Sequence, residues 1–246
     1  MATFQDFKLQ EYFNQVIKEL CFKKPTPIQE KVIPLVLKNR DIIGISQTGT
    51  GKSHAFLLPI MSRIDVNKDC VQAVITAPTR ELASQLFNNA KTFTKYLPEL
   101  RVSLIVGGSD RQRAVNKLSI QPHVVIGTPG RIKDLSLDAQ ALQITTAKTF
   151  VVDEADMTLE FGYLEDIDAV AGKMADDLQM MVFSATIPQN LRPFLKKYMQ
   201  SPVTIEINSK LATTANVEHI LLATKHQDRY DVLKKIMATI DPYICI

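Results

Sequence analysis

Gly49, Gly51, Lys52 and Ser53 fall within the stretch Ser46-Gln47-Thr48-Gly49-Thr50-Gly51-Lys52-Ser53, and together they have the means to hold a phosphate. The stretch lies between the apolar run Asp41-Ile42-Ile43-Gly44-Ile45 and a helix-like segment, Ala55 to Ile64, which is a strand, loop, helix context. A phosphate in such a loop meets unpaired backbone N–H groups and the positive end of a helix dipole, while the glycines let the chain bend and approach closely. Lys52 would reach the β and γ phosphates as a mobile cation. The Ser53 hydroxyl would be a ligand of Mg²⁺, which prefers hard oxygens and shares them with phosphate. In the general pattern, Gly, four residues, Gly-Lys-Ser/Thr, the first glycine would stand where this chain has Ser46. An ordinary glycine-rich turn with a surface lysine has the same local composition, so the surroundings must decide.

Asp153 and Glu154 carry a second piece of chemistry. They follow the apolar run Phe150-Val151-Val152, which would set them as a carboxylate pair beside the phosphate loop. One would hold Mg²⁺ through its water shell, and the other would orient or deprotonate an attacking water. Glu154 and Asp156 would equally suit the dipole of a following helix, and the two readings are compatible. Four further polar turns also come directly after apolar runs: Ala77-Pro78-Thr79-Arg80-Glu81, Gly107-Gly108, Gly127-Thr128-Pro129-Gly130-Arg131 and Ser184-Ala185-Thr186. In these turns Arg80 and Arg131, the Thr79 and Thr128 hydroxyls, and backbone donors at glycines and helix starts suit phosphates, a contact set that reads a nucleic-acid backbone rather than its bases. Each arginine alone is equally a solvated surface charge. His54 and His123 carry no signal beyond packing.

The elements that must position these turns are legible in the apolar pattern. Leu9, Tyr12, Phe13, Val16, Ile17 and Leu20 recur at helical steps, predicting a helix from Leu9 to Phe22. Lys24-Pro25-Thr26-Pro27 cannot continue it, and Ile28 to Leu37 restarts the period. Gln29, just inside this second helix, has an amide complementary to an adenine edge, and Phe22 offers a face for stacking. A polar helix start and a core phenylalanine would account for them as well. Further on, Val71–Thr76 precedes a helix from Glu81 to Phe93, and Val102–Val106 precedes one from Arg111 to Leu118. His123–Gly127, Phe150–Val152, Gln179–Phe183 and Val203–Ile207 read as further buried strands. Such alternation predicts an α/β fold, a mostly parallel central sheet with helices on both faces, whose ligands bind beyond the strand C-terminal ends.

Bulk properties agree with a globular chain. Of 246 residues, 46% are hydrophobic and 22% charged, enough for a substantial core. A net charge of +3 is too small to attract a polyanion globally, so any such binding must rest on local placement of Lys and Arg. Cys21, Cys70 and Cys245 are scattered and lack metal-ligand spacing, which predicts reduced thiols in the cytoplasm. There is no secretory start and no run of 18 apolar residues, so neither export nor membrane spanning is expected.

The motifs taken in order resemble those of the first RecA-like domain of DEAD-box ATP-dependent RNA helicases of bacterial type. Asp153-Glu154-Ala155-Asp156 is the tetrad that names the family. Phe4, Phe22 and Pro25-Thr26-Pro27-Ile28-Gln29 resemble its adenine-reading Q motif, and Gln47-Thr48-Gly49-Thr50-Gly51-Lys52-Ser53 its motif I. Pro78-Thr79-Arg80-Glu81-Leu82, Gly107-Gly108, Thr128-Pro129-Gly130-Arg131 and Ser184-Ala185-Thr186 resemble motif Ia, the GG doublet, motif Ib and motif III. Cys21 sits where the family usually has glycine, Ser46 where it has alanine and Ser53 where it has threonine.

The resemblance covers residues 4 to 207 and implies a RecA-like P-loop NTPase domain over 31–208, with the Q-motif region at 1–30. It implies a linker over 209–224 and, over 225–246, the truncated start of a second RecA-like domain, with Pro242-Tyr243-Ile244-Cys245-Ile246 as its opening strand. The implied ligands are ATP and Mg²⁺, and the implied partner is single-stranded or short duplex RNA, held by backbone contacts along motifs Ia, GG and Ib. Lys52, Asp153 and Glu154 would carry hydrolysis, while Asp156, Ser184, Ala185 and Thr186 would couple nucleotide state to RNA. A non-catalytic RNA-binding module, a DNA helicase and a general P-loop ATPase are the alternatives. The first is disfavoured by retention of Lys52, Asp153 and Glu154, the others by Gln29 in its proline-threonine-proline setting together with the acidic tetrad.

Overall fold

The computed structural model describes residues 3–108, 110–207, 220, 222–224 and 228–240. The chain divides into two units, Met1–Ser209 and Lys210–Ile246. In the first, helices α1 (Phe13–Glu19) and α2 (Pro27–Leu37) precede strand β1 (Ile42–Ile45), and the phosphate-loop stretch leads into α3 (Lys52–Arg63). Then β2 (Ala73–Thr76) is followed by α4 (Arg80–Thr94), β3 (Val102–Ile105) by α5 (Arg111–Lys117), and β4 (Val124–Gly127) by α6 (Pro129–Lys133). Strand β5 (Thr149–Val152) is followed by α7 (Ala155–Glu160) and α8 (Leu164–Ala171), and β6 (Gln179–Ser184) by α9 (Arg192–Tyr198) before β7 (Val203–Glu206).

The strands form one seven-stranded sheet in the order β3-β4-β2-β5-β6-β1-β7, parallel at every pairing. Successive strand residues face opposite sides, so a strand clad on both sides must be apolar throughout. Val151, Met181 and Phe183 join the core beneath α1 to α4, whereas Phe150, Val152, Met180 and Val182 join the core beneath α6, α8 and α9. The two-sided α/β architecture expected from the alternating runs is the one observed. Asp41 fixes the start of β1 within it: Oδ1 accepts from the Met180 N–H at 2.8 Å and Oδ2 from the Gln200 N–H at 2.6 Å, one bond toward each neighbouring strand. Buried, with both carboxylate oxygens satisfied, it locks β1 between β6 and β7.

Helix α1 is shorter than its periodicity predicts. Lys8 adopts a left-handed conformation, and the Gln10 N–H donates to the Ser62 hydroxyl at 3.3 Å, so the chain begins as a turn held against α3. At the other end the helix stops before Cys21, whose φ of +54° is left-handed. Leu9 and Leu20 still pack against the core, which is why the pattern overruns the helix. In the second unit, α10 (Arg229–Ile240) occupies part of the tail expected to begin with a helix. Of the expected linker only 220 and 222–224 are described, and the expected strand Pro242–Ile246 lies outside the described residues. Among the described residues no helix is long and apolar enough to cross a membrane.

A left-handed residue costs an L side chain about 1–2 kcal/mol, while glycine there costs more entropy on folding. Cys21→Gly is therefore expected to stabilise the chain by about 0.5–1 kcal/mol in urea unfolding; an unchanged midpoint would show that the surrounding turn already absorbs the strain.

Candidate functional site

The strand order sorts the chemistry-bearing turns into two groups along the C-terminal edge of the sheet. Loops after β5, β6 and β1 are neighbours, and so are those after β3, β4 and β2. Phosphate loop and acidic tetrad, far apart in sequence, are thereby separated only by β6.

The loop after β1 is tethered from below, since the Ser46 N–H donates to the Ser184 carbonyl at 3.1 Å. The Ser46 and Thr50 hydroxyls lie 3.1 Å apart, and Thr50 Oγ1 donates to the Gln47 carbonyl at 2.9 Å, so Ser46 serves as an internal brace. Gly49 and Gly51 both have left-handed φ values, +80° and +92°, and an added Cβ at Gly51 would lie 2.8 Å from Gln29 Nε2. The loop thus rests directly on the segment carrying Thr26 and Gln29. Lys52 opens α3, and its ammonium, 5% exposed, donates to the Ser46 carbonyl at 3.1 Å and to Glu154 Oε1 at 2.9 Å.

Glu154 precedes α7 in a left-handed conformation, φ +47°, and its backbone N–H donates to Asp153 Oδ1 at 3.1 Å. Burial first, and then the neighbouring Glu154 charge, push the Asp153 carboxyl up to about 7, against the pull of Lys52. Two buried carboxylates share one ammonium, so this corner is short of positive charge. The donor set suits a hard divalent cation: the Asp153 carboxylate and the Ser53 hydroxyl are oxygen ligands of the kind Mg²⁺ takes together with phosphate oxygens and water. Both border a cavity of about 380 Å³ with Thr48, Gly49, Lys52 and Glu154, and the Gly49 Cβ position faces open space. Among the described residues, no three His, Cys, Asp or Glu side chains cluster as a self-sufficient metal site, so a cation here would depend on phosphate and water.

Gln29 is 3% exposed, and its amide is engaged at both ends: Oε1 accepts from the Thr26 N–H at 3.0 Å, and Nε2 donates to the Gly51 carbonyl at 3.3 Å. One amide hydrogen and one lone pair remain. Thr26 Oγ1 is buried and lacks a hydrogen-bond partner among the described residues. Phe22 is half-buried, stacked on Phe4 at 5.9 Å and met edge-on by the His54 ring at 4.9 Å. His54, read from sequence as packing alone, also lines the cavity and holds an unpartnered, buried Nε2; burial lowers its pKa. Gln85 and Asn89 of α4 complete that wall, and no spacing in the sequence points to them.

Asp156 gathers the loop after β6. Its Oδ2 accepts from the Thr186 N–H at 3.1 Å and the Thr186 hydroxyl at 3.3 Å, while its own N–H donates to the Ser184 hydroxyl at 3.0 Å. Burial would raise the Asp156 carboxyl, but these bonds hold it below its ordinary value. Ala185 stands exposed between the two hydroxyl residues.

The second group of loops surrounds a cavity of about 630 Å³ lined by Pro78, Thr79, Arg80, Gly107, Thr128, Gly130 and Arg131, with Glu81, Asp134, Phe161 and Tyr163. Arg80 lies over the glycine pair: a Cβ at Gly108 would stand 2.5 Å from its Nη1, and one at Gly107 3.0 Å from its Nη2. The two glycines let the guanidinium lie directly against the backbone in this position, where it forms no ion pair among the described residues. Arg131 pairs with Asp134 at 2.7 Å, as does Arg111, and the Arg111 bonds first of all hold the Asp134 carboxyl below its ordinary value. Thr79 Oγ1 caps α4 by accepting from the Leu82 N–H at 3.2 Å, and Pro129 is buried as the first residue of α6, so both act on the cavity through backbone placement. Asp134, Phe161 and Tyr163 escape the sequence reading.

A family model described as DEAD/DEAH box helicase matches residues 26–194. The chain is 51% identical over 246 residues to the DEAD-box ATP-dependent RNA helicase CshB of Listeria monocytogenes, covering all of this chain and 56% of that protein. To CshB of Bacillus subtilis it is 48% identical, again over 100% of this chain and 56% of the relative. The chain thus spans about half the length of the curated relatives it matches. Among solved structures, a DEAD box protein from the hyperthermophile Methanococcus jannaschii superposes with a TM-score of 0.78 at 30% identity, over 96% of this chain and 63% of that one. Dbp5 of S. cerevisiae bound to RNA and ADP BeF3 gives 0.74 at 32% identity, over 85% of this chain and 52% of that one.

The electrostatics of Asp153 set a pH dependence. Between its ordinary 3.8 and about 7 the folded chain keeps a proton that the unfolded chain has released, so this group subtracts stability as pH rises through that window. Asp153→Asn is expected to stabilise the chain more at pH 8 than at pH 5, by urea unfolding at both; an equal effect would mean that the carboxylate ionises freely in the fold.

Proposed function

The chain belongs to the DEAD/DEAH box helicase family, and we propose that it forms the ATP-binding domain of an ATP-dependent RNA helicase that couples hydrolysis to RNA binding and local duplex separation. The observation that carries this reading is the buried contact of Lys52 with Glu154, which joins the phosphate loop after β1 to the acidic tetrad after β5 across the intervening β6. Lys52 is the cation for the β and γ phosphates. On moving to them it leaves Glu154, which is then free to take a proton from water. Ser53 and Asp153 would hold Mg²⁺, directly or through its water shell, and the ion would supply positive charge toward the phosphates. The loop from Gln47 to Gly51 cradles those phosphates with its backbone N–H groups.

Thr26, Gln29 and Phe22 select adenine, Gln29 with the amide hydrogen and lone pair that its internal bonds leave over. Arg80, Arg131 and the backbone at Gly107, Gly108, Thr128 and Gly130 hold RNA phosphates, while Pro78, Thr79 and Pro129 set those loops. Asp156 with Ser184, Ala185 and Thr186 couples nucleotide state to RNA, Asp156 tying the loop after β5 to the loop after β6. The relatives' greater length supports a second RecA-like domain that supplies further RNA contacts and a catalytic arginine. The scattered cysteines support a cytoplasmic setting.

In a protein carrying this chain at its relatives' full length, Glu154→Gln should leave ATP binding intact and cut RNA-stimulated phosphate release by about 10²-fold or more, since an amide cannot take the proton. Near wild-type turnover would remove Glu154 from that role. Calorimetry should find ATP bound and GTP rejected, with Gln29→Ala weakening ATP; equal affinity for both nucleotides in the wild type would sink the adenine assignment. The 246-residue chain alone should hydrolyse ATP feebly and gain RNA-stimulated turnover when the remaining domain is added, an arginine across a cleft being worth about 10³–10⁵ in rate. Brisk hydrolysis by the chain alone would overturn that division of labour.

A further inference from the structure

We propose that Phe161 is a stacking platform for one unstacked nucleobase of bound single-stranded RNA, placed at the C-terminal end of the short helix whose N-terminal end carries Asp153 and Glu154. The inference rests on the RNA reading above and adds to it a contact to a base, where the arginines and glycines supply contacts to phosphate alone.

Phe161 is 53% exposed, and a solitary exposed aromatic means little. Its setting gives it meaning. The ring borders the same cavity as Arg80 and Arg131, so phosphates held by those guanidiniums would bring their bases within reach of it. Tyr163 stands 6.4 Å away at an interplanar angle of 54°, tilted rather than parallel, so it does not cap the Phe161 face as a stacked ring would.

Backbone structure fixes where the side chain leaves the helix. The Phe161 N–H donates to the Met157 carbonyl, the Gly162 N–H to the Leu159 carbonyl and the Tyr163 N–H to the Thr158 carbonyl, at 3.0, 2.9 and 3.0 Å. With Gly162 at φ +77°, these bonds form the closed C-terminal cap in which a left-handed glycine ends a helix and satisfies its last carbonyls. Thr158, fully buried, donates its hydroxyl to the Glu154 carbonyl at 3.1 Å, which anchors the middle of the helix. The backbone that carries the ring is therefore ordered before RNA arrives, so ordering of the chain itself does not oppose stacking. A base on this platform has left its duplex neighbours, so the contact favours single-stranded RNA over the intact helix.

These 246 residues contain no tryptophan, so Phe161→Trp introduces an indole whose emission is read as the difference from the unsubstituted protein. Binding is measured by anisotropy of labelled oligoadenylate and of an abasic ribose-phosphate oligomer of equal length, in the full-length protein with a non-hydrolysable ATP analogue. Oligoadenylate should quench the indole, and the abasic oligomer should bind without quenching. Phe161→Ala should weaken oligoadenylate about 5- to 100-fold, leave the abasic oligomer unchanged, and be rescued by Phe161→Tyr. Arg80→Ala should weaken both oligomers and flatten the salt dependence. Unchanged oligoadenylate affinity in Phe161→Ala, or equal loss for both oligomers, overturns the platform while leaving the RNA reading intact. Binding of neither oligomer by the wild type overturns the RNA reading and the platform with it.

Discussion

Everything at the sheet edge depends on one buried ammonium. Lys52 Nζ, 2.9 Å from Glu154 Oε1 and 3.1 Å from the Ser46 carbonyl, lies where charge is costly unless paired. Removing a partner from such a pair is far more damaging than the pair is stabilising, so the surroundings must deliver both groups together. Three features do this. The Asp41 carboxylate sets β1 between β6 and β7, the bond from Ser46 to Ser184 seats the loop on β6, and the left-handed turn at Glu154 aims its carboxylate back across β6. The same ammonium is the group an incoming phosphate would claim. In the proposed function its present contacts are a resting state, whose carboxylate partner would be released when anionic phosphate takes its place.

A second constraint is steric. The backbone of Gly51 lies against Gln29, and the backbone of Gly107 and Gly108 lies against Arg80, so that a side chain at either contact would displace the polar group resting there. A glycine thus serves here less as a flexible joint than as a surface on which a polar side chain is laid flat. This bears on charge as well. With a net charge of only +3, the chain cannot gather a polyanion through its overall field, so each cation must be delivered individually to the cavity edge. Arg80 is delivered by absence of bulk beneath it. Arg131 is delivered by Asp134, which also holds Arg111 and so leaves a locally neutralised cluster rather than a uniformly basic patch.

All seven strands were legible because β-branched runs ending in polar turns have few other interpretations in a chain of alternating elements. The limits of α1 were not, since the Gln10 bond to Ser62 and the left-handed Cys21 are tertiary and conformational facts that apolar spacing does not encode. Helices α8 and α9, of eight and seven residues, are too brief for a periodicity to stand out. The motif residues around Lys52 and Asp153 were legible because phosphate and cation chemistry demands particular residue types at fixed offsets. Their adjacency was expected from their strand-end positions, but that β6 is the strand between them was not, because strand order is absent from local sequence. His54, Asp134 and Phe161 went unread for a related reason: a single side chain with no required spacing looks like packing until its neighbours are known.

Helix α7 draws these strands of reasoning together. At six residues it is too short to be stable by itself, so its position is dictated by what holds its ends. One end begins at Glu154, whose carboxylate meets Lys52, and carries Asp156, whose carboxylate is bound to Thr186. The other is closed by bonds from Gly162 and Tyr163 that set Phe161 and Tyr163 along the second cavity. Between them Thr158 is buried, and its hydroxyl bonds to the Glu154 carbonyl within the helix itself. A shift of Glu154 away from Lys52 therefore has two outlets, rotation of the Glu154 side chain alone or displacement of α7 as a body. Since Asp156 is tied to the loop after β6 rather than to Lys52, displacement of α7 as a body would act on that loop as well as on the aromatic end of the helix.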